Sequence, residues 1–402
     1  MDSRLYWIWL AQALGPGDPV MGDLLDAFNT AAAVYAATEK ELQTAGMGAS
    51  VLRRLKDRSL HKAHIILNRV TEAGDWVLTP DDALYPAGLR RLPDRPAALY
   101  CRGTMPDMDA CLTVAVVGTR HASDEGRQET YRLAAELATG GAIVVSGGAK
   151  GIDAAAHAGA LESGGVTVAV MGCPVDKRYP VENIPLRERI VADGGLLMSE
   201  YPHGEPYRCV YQIRNRLLSG LSHGVCLGET PTRSGARITA RLAREQGREV
   251  FAMPGSLSGH RNDGAHREIR GGAVLVTCAA ELLEEYTATF GDVLDIDAAK
   301  EIHDLMQTKT AERPQPVKKK QKAAESKTKK APEQLPPTYV ACPDAVSEPA
   351  RQVYDVLTEK PCPVDDLAVK TGLSIATLLG ALTELEMFGC AANAAGQQYY
   401  RR

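Results

Sequence analysis

Between residues 111 and 286 the chain alternates short apolar runs with stretches of helical sequence, and this alternation restricts the fold more than any other feature. The runs are 113–117 (TVAVV), 142–145 (AIVV), 166–170 (VTVAV), 195–198 (GLLM), 224–227 (GVCL), 249–252 (EVFA) and 273–276 (AVLV). They lack the strict polar–apolar alternation of a half-exposed strand, so they are expected to be buried on both faces. Helical sequence separates them, about 126–139 after the first run and 153–162 after the second. Strands of this kind joined through helices form a parallel sheet. The expected fold class is therefore α/β, with a Rossmann-like, doubly wound, mostly parallel sheet. Aromatic residues are only 5% while Ala and Gly are abundant, which suits tight helix–sheet packing.

The flanks read differently. Residues 1–74 are short helices separated by Gly15-Pro16-Gly17 and Gly46-Met47-Gly48. Such helix–Gly-x-Gly–helix turns belong to small helical modules of the SAM or helix-hairpin-helix kind. They either expose backbone N–H groups as a phosphate nest or merely allow a tight turn between packed helices. Residues 75–290 form the Rossmann-like domain. Residues 309–340 read as a disordered basic linker: Lys318, Lys319, Lys320, Lys322, Lys327, Lys329 and Lys330 lie among Pro, Ala, Gln and Ser, without hydrophobic periodicity. Residues 346–402 read as a winged helix, with helices at about 349–357, 364–371 and, capped by Ser374, up to about 388; residues 397–400 supply the wing. From Thr371 to Tyr400 there is no Lys or Arg. A helix that reads DNA is basic, so this module is expected to contact protein.

Length and composition exclude several classes. With 402 residues, 45% hydrophobic and 24% charged, the chain is ordinary globular protein of two to three domains. No apolar run approaches the ~20 residues that cross a bilayer, and the first residues lack the pattern of a signal peptide. Nine scattered cysteines with no C-x-x-C make a metal centre or a disulfide framework unexpected and point to the cytoplasm.

In an open α/β sheet the ligand sits beyond the C-terminal strand ends. Here those ends carry Gly118-Thr119-Arg120, SGGAKGID (146–153), MGCPVDKRYP (171–180), GETPTRSG (228–235) and MPGSLSG (253–259). Glycine lets backbone N–H groups approach a ligand, and helix N-termini add partial positive charge. One rim thus presents several anion nests beside Arg120 and Lys150, a match for phosphodiester or polyphosphate. There is no Walker A loop, no G-x-G-x-x-G after the first strand, no H-E-x-x-H and no G-x-S-x-G elbow. Nucleotide hydrolysis and hydride transfer are not expected, and neither a cofactor nor a catalytic residue is assigned. A second cationic feature follows. Residues 207–248 hold eight arginines against Glu229 and Glu245. Arg237, Arg241, Arg244 and Arg248 fall on one helical stripe, read as a solvated face partly paired through Arg241–Glu245. Arg214-Asn215-Arg216 is read instead as opening a Gly- and Ser-rich turn, where Arg suits bidentate phosphate recognition.

The blocks VAVVGTR, SGGAKGIDAAAHAGAL, YPVEN, LLMSEYPHG, RNRLLSGLS, SGARITA and MPG, in this order over about residues 75–286, resemble the DNA-processing protein A (DprA/Smf) family. The resemblance implies a Rossmann-like domain that binds single-stranded DNA, protects incoming strands in natural transformation, helps to load the RecA recombinase and forms homodimers. Carried over position by position, the strand-binding residues would be Arg120, Ser146, Gly147, Gly148, Lys150, Arg214, Asn215 and Arg216. The chain departs from the family pattern at Gln212-Ile213, before the RNR motif, and at residues 264–269 (GAHREI) after MPG. An alternative reading is a Rossmann-like nucleoside-monophosphate phosphoribohydrolase, to which Asp153, His157 and Glu229 could lend acid–base chemistry. Against it, the P-G-G-x-G-T-x-x-E signature of such enzymes is missing at Pro254-Gly255-Ser256-Leu257.

Overall fold

The computed structural model describes residues 2–204, 211–312, 346–358, 362–388, 390–394 and 398–401. The first compact unit is built on a nine-stranded sheet: β1 Trp76–Leu78, β2 Leu99–Gly103, β3 Thr113–Val117, β4 Ile143–Ser146, β5 Thr167–Val170, β6 Leu196–Ser199, β7 Gly224–Leu227, β8 Glu249–Ala252 and β9 Val274–Leu275. Their order is β1-β2-β6-β5-β4-β3-β7-β8-β9. From β6 to β9 all pairs are parallel, while β2 runs antiparallel to β6 and β1 to β2. All seven expected runs became strands, with boundaries within a residue or two. Strands β3 to β7 are buried at every position, which is why their sequences carry no alternation.

The helices of this unit begin with α1 Arg4–Leu14, α2 Val20–Phe28, α3 Ala31–Ala36, α4 Glu39–Thr44, α5 Ala49–Leu55, α6 His61–Glu72 and α7 Ala87–Arg90. They continue with α8 Asp124–Thr139, α9 Ile152–Glu162, α10 Ile184–Ala192, α11 Tyr211–Gly220, α12 Ala236–Glu245, α13 Asp263–Arg270, α14 Ala279–Glu284, α15 Thr287–Phe290 and α16 Ile296–Glu312. Helices α1 to α6 pack over the antiparallel strands: their core of Trp7, Ile8, Leu10, Leu24 and Leu55 is continuous with Val77, Ala97, Ala98 and Tyr100. In the Gly15–Gly17 turn Gly17 approaches α11: its φ is 71°, and a Cβ there would lie 2.6 Å from Ile213 Cγ2. Close packing therefore explains this glycine. Helix α16 continues to Glu312, four residues into the segment read as linker; residues 313–345, with the seven lysines from Lys318 to Lys330, lie outside the described residues.

The second unit contains α17 Glu348–Val356, α18 Val364–Thr371 and α19 Ile375–Met387 with the three-stranded sheet β10 Cys362–Pro363, β12 Gln398–Arg401, β11 Ala391–Ala394 in that order. Gly372 ends α18 in the left-handed region at φ 67°, and the Ser374 side chain caps α19 by accepting from Thr377 N–H. This is the winged-helix arrangement the spacing predicts.

Candidate nucleic-acid interface

The sheet order reverses between β3 and β7, because β4 and β5 lie to one side of β3, and β8 and β9 to the other side of β7. Beyond the C-terminal ends of β3, β4 and β7 lies a cleft of about 260 Å³, lined by Gly118–His121, Ala149, Asp153, Arg214, Asn215 and the Arg233–Ala236 turn, among others. This is the position a doubly wound sheet offers a ligand. A second, smaller cleft of about 60 Å³ is lined by Arg120, Gly147–Lys150, Met171–Cys173, Tyr179 and Pro180. The two clefts share Arg120 and Ala149, so they join along the rim with Arg120 between them.

The glycine loop after β4 is folded by contacts that leave no room for side chains. A Cβ on Gly147 would lie 2.4–2.5 Å from both terminal nitrogens of Arg214 and 2.5 Å from Asp153 Oδ2. Gly151, at φ 79°, starts α9 where a side chain would strike the Thr119 carbonyl and Arg120. Asn183, buried on the turn before α10, donates from Nδ2 to the carbonyls of Gly148 (3.0 Å) and Ala149 (2.9 Å) and so sets the loop's outer edge. Lys150 leaves that edge exposed, with its ammonium ion-paired to Glu182. Arg120 and Arg233 are also exposed, one on each side of the larger cleft.

The remaining expected residues are interior. Ser146 is fully buried and donates from Oγ to the Val116 carbonyl at 2.6 Å, tying β4 to β3. Arg214-Asn215-Arg216 forms part of helix α11, which corrects the turn expected there, and all three side chains are buried. Arg214 donates to the carbonyls of Gly147 (2.7 Å) and Val170, reaching the floor of the larger cleft. Asn215 donates to the Gly235 carbonyl at 3.3 Å and anchors the start of α12. Residues two apart on a helix point in nearly opposite directions. Arg216 accordingly lines neither cleft and pairs with Asp94 (2.9 Å) and Glu200 (2.7 Å). Of the expected arginine stripe, Arg237 and Arg244 share Glu268 at 2.7 and 2.6 Å and Arg241 meets Glu245 at 2.7 Å, whereas Arg248 lies past the end of α12 and donates to the Gly220 carbonyl.

The three possible acid–base groups are similarly occupied. Burial pushes the Asp153 carboxyl up, against the opposing pull of Arg214 and of the Ala149 N–H. Burial, with Arg214 adding to it, brings His157 down to about 3, so the ring is neutral; its Nδ1 lies 2.8 Å from Thr167 Oγ1. Glu229 accepts from the Ser123 backbone N–H (3.1 and 3.2 Å) and from its hydroxyl, at the N-terminus of α8. The anion position after the first parallel strand, where many Rossmann folds seat a phosphate, is thus filled by the protein's own carboxylate. Among the described residues no cluster of His, Cys, Asp and Glu could hold a metal, and no helix is long and apolar enough to cross a membrane.

The sequence expectation does not include Arg233 and the Ser234-Gly235 turn, which line the larger cleft, or Asn183, which shapes the glycine loop. Signals for both existed, since GETPTRSG already lay on the rim and YPVEN among the motifs. Of the eight arginines between residues 207 and 248, Arg208 lies outside the described residues.

Comparison with known proteins agrees with this architecture. The model of the family described as DNA recombination-mediator protein A matches residues 76–287, and that of the DprA winged helix domain matches residues 330–397. Protein Smf of Synechocystis sp. is 31% identical over 416 residues, covering 100% of this chain and 99% of that protein. The DNA processing protein DprA of Streptococcus pneumoniae is 41% identical over 206 residues, 51% of this chain and 72% of the relative. The X-ray structure of DNA processing protein A from Streptococcus pneumoniae matches with a TM-score of 0.60 at 31% identity, over 71% of this chain and 98% of that one. With one family model spanning more than half of its length, and a full-length relative above 30% identity, the chain belongs to the DNA recombination-mediator protein A family.

Proposed function

We propose that this protein binds single-stranded DNA along the rim formed by the two joined clefts, without cleaving it. It would protect incoming strands in natural transformation and pass them to the RecA recombinase, working as a homodimer in the cytoplasm. The observation that carries the reading is the placement of Arg120, Lys150 and Arg233, three exposed cations around one groove whose floor is glycine backbone. Cations on such a rim suit a string of phosphates. Relatives named as DNA processing proteins support DNA as the polymer. Within the site, Arg120, Lys150 and the Gly147-Gly148 backbone would touch phosphate. Ser146, Arg214, Asn215 and Arg216 act by positioning, because each side chain is buried and bonded or ion-paired to an interior partner. Tyr179 is exposed in the smaller cleft and available to a base.

Non-catalytic binding is supported against the phosphoribohydrolase alternative by the state of the acids. Asp153, at the wall of the larger cleft, is almost wholly buried and accepts from the Ala149 N–H, and Glu229 is bound by Ser123 at the start of α8, which supports structural roles for both carboxylates. A salt titration with single-stranded and duplex oligonucleotides tests the reading. Single strands should bind more tightly, and replacing Arg120 and Lys150 by Ala should lower the salt slope by about 0.7 per lost contact. Equal affinity for both forms, an unchanged slope in the double variant, or base release from a nucleoside monophosphate would refute it.

A further inference from the structure

The YPVEN motif brings Tyr179 to the smaller cleft and Asn183 to the glycine loop, and between them it places an acid, Glu182, against the rim's own lysine. Glu182 sits on a short 3-10 turn, Val181–Asn183. Its carboxylate pairs with the Lys150 ammonium although both side chains are more than half exposed. Long exposed side chains meet by chance only weakly. Here the backbone on each side is fixed. Asn183, the next residue, is buried and bonded to the carbonyls of Gly148 and Ala149, the two residues immediately before Lys150. The same two hydrogen bonds that shape the glycine loop therefore hold Glu182 within reach of Lys150. Lys150 also lines the cleft that contains Arg120, Gly147 and Gly148. The carboxylate is held below its ordinary range chiefly by the hydrogen bond from Lys150, so it is ionised at neutral pH.

We infer that Glu182 is a built-in surrogate for a DNA phosphate: it occupies Lys150 when no strand is present, must be displaced for the strand to bind, and recaptures the lysine as the strand leaves. The inference rests on the reading that Lys150 contacts phosphate. An intramolecular competitor at one contact lowers affinity modestly and speeds release, because the Glu182 carboxylate replaces the departing phosphate on Lys150 without an anion entering from solution. Release by exchange suits a protein that must surrender its strand to another binder. The surrogate also acts on salt dependence. When Lys150 turns to a phosphate, the freed Glu182 attracts a solution cation, which offsets part of the counterion release that accompanies binding.

The test uses the full chain, an oligothymidylate labelled for fluorescence anisotropy, and the variants Glu182→Gln, Lys150→Gln and the double variant. Glu182→Gln should bind roughly two- to fivefold more tightly, the scale of one exposed ion pair, chiefly through slower dissociation. Its salt slope should be steeper than that of the wild type, a change that a merely structural role for Glu182 would not produce. In the Lys150→Gln background, removing Glu182 should have no further effect. If Lys150→Gln weakens binding but Glu182→Gln leaves affinity, dissociation rate and slope unchanged, the surrogate is refuted while the strand reading stands. If Lys150→Gln binds as the wild type does, Lys150 is not a phosphate contact, and the surrogate falls together with that part of the strand reading.

Discussion

Replacing Gly147 by Ala probes the point on which the whole rim depends. The backbone at Gly147 lies directly against the Arg214 guanidinium and the Asp153 carboxylate, and the added methyl would meet three of their atoms at 2.4–2.5 Å. Neither neighbour can yield freely. Arg214 is held by the carbonyls of Gly147 and Val170, and Asp153 is buried at the start of α9. Forcing a methyl into a packed interior costs about 1–3 kcal/mol. Displacing Arg214 also breaks hydrogen bonds made by a charged group, each contributing about 1.5–3 kcal/mol. The two effects share one movement and do not add in full. A loss of about 3 kcal/mol is expected, which lowers the melting temperature by roughly 6–12 °C for a domain of this size. The same movement alters the spacing of Arg120 and Lys150, so strand affinity should fall at temperatures where the variant is still folded. Gly235→Ala is the control. That glycine lines the same cleft in a right-handed conformation, and its added methyl meets nothing within 4 Å, so its stability should match the wild type within about 0.5 kcal/mol. Thermal melts followed by fluorescence, with anisotropy measured at low temperature, read both effects. A Gly147→Ala protein that melts and binds like the wild type would refute the packing account of the loop.

Two further predictions concern the interior. Arg216→Ala should lose about 3–5 kcal/mol in urea unfolding, because Glu200 and Asp94 would be left without their cation in a buried site; an unchanged midpoint would show that the pair does not hold α11 in place. His157 is brought from 6.5 to about 3 in the folded protein by burial first and Arg214 second. The unfolded chain takes up a proton below pH 6.5 that the folded one refuses, so this histidine makes stability fall as pH drops from about 6.5 towards 3, by about 1.4 kcal/mol per pH unit at most. The stability difference between wild type and His157→Gln should therefore shrink as pH falls over that window, and a difference that stays constant with pH would contradict the assignment.

Runs such as 113–117 and 224–227 specify their strands without help from the rest of the chain. Their residues are apolar on both sides of the pleat, and only a strand covered on both faces uses such a pattern. The caps of the winged helix are equally local: Ser374 and Gly372 act on backbone groups a few residues away. The position of the glycine-lined clefts was legible too, since the Gly-rich segments directly follow the parallel strands and so gather at one end of the sheet. What the sequence could not supply was the side of each element that faces inward. Arg214 and Arg216 look like a pair of phosphate ligands when written in a line; helix α11 turns them to opposite sides, one to a cleft floor and the other to Glu200, more than ten residues upstream. Lys150 looks free until the turn at Glu182 is folded beside it. Glu229 looks like a candidate base until it reaches the N-terminus of α8, whose first residue lies about a hundred positions before it in the chain. Strand pattern and capping are short-range properties and follow from neighbouring residues. Charge pairing is long-range, and only the tertiary structure decides which of these cations and acids remain available to a ligand.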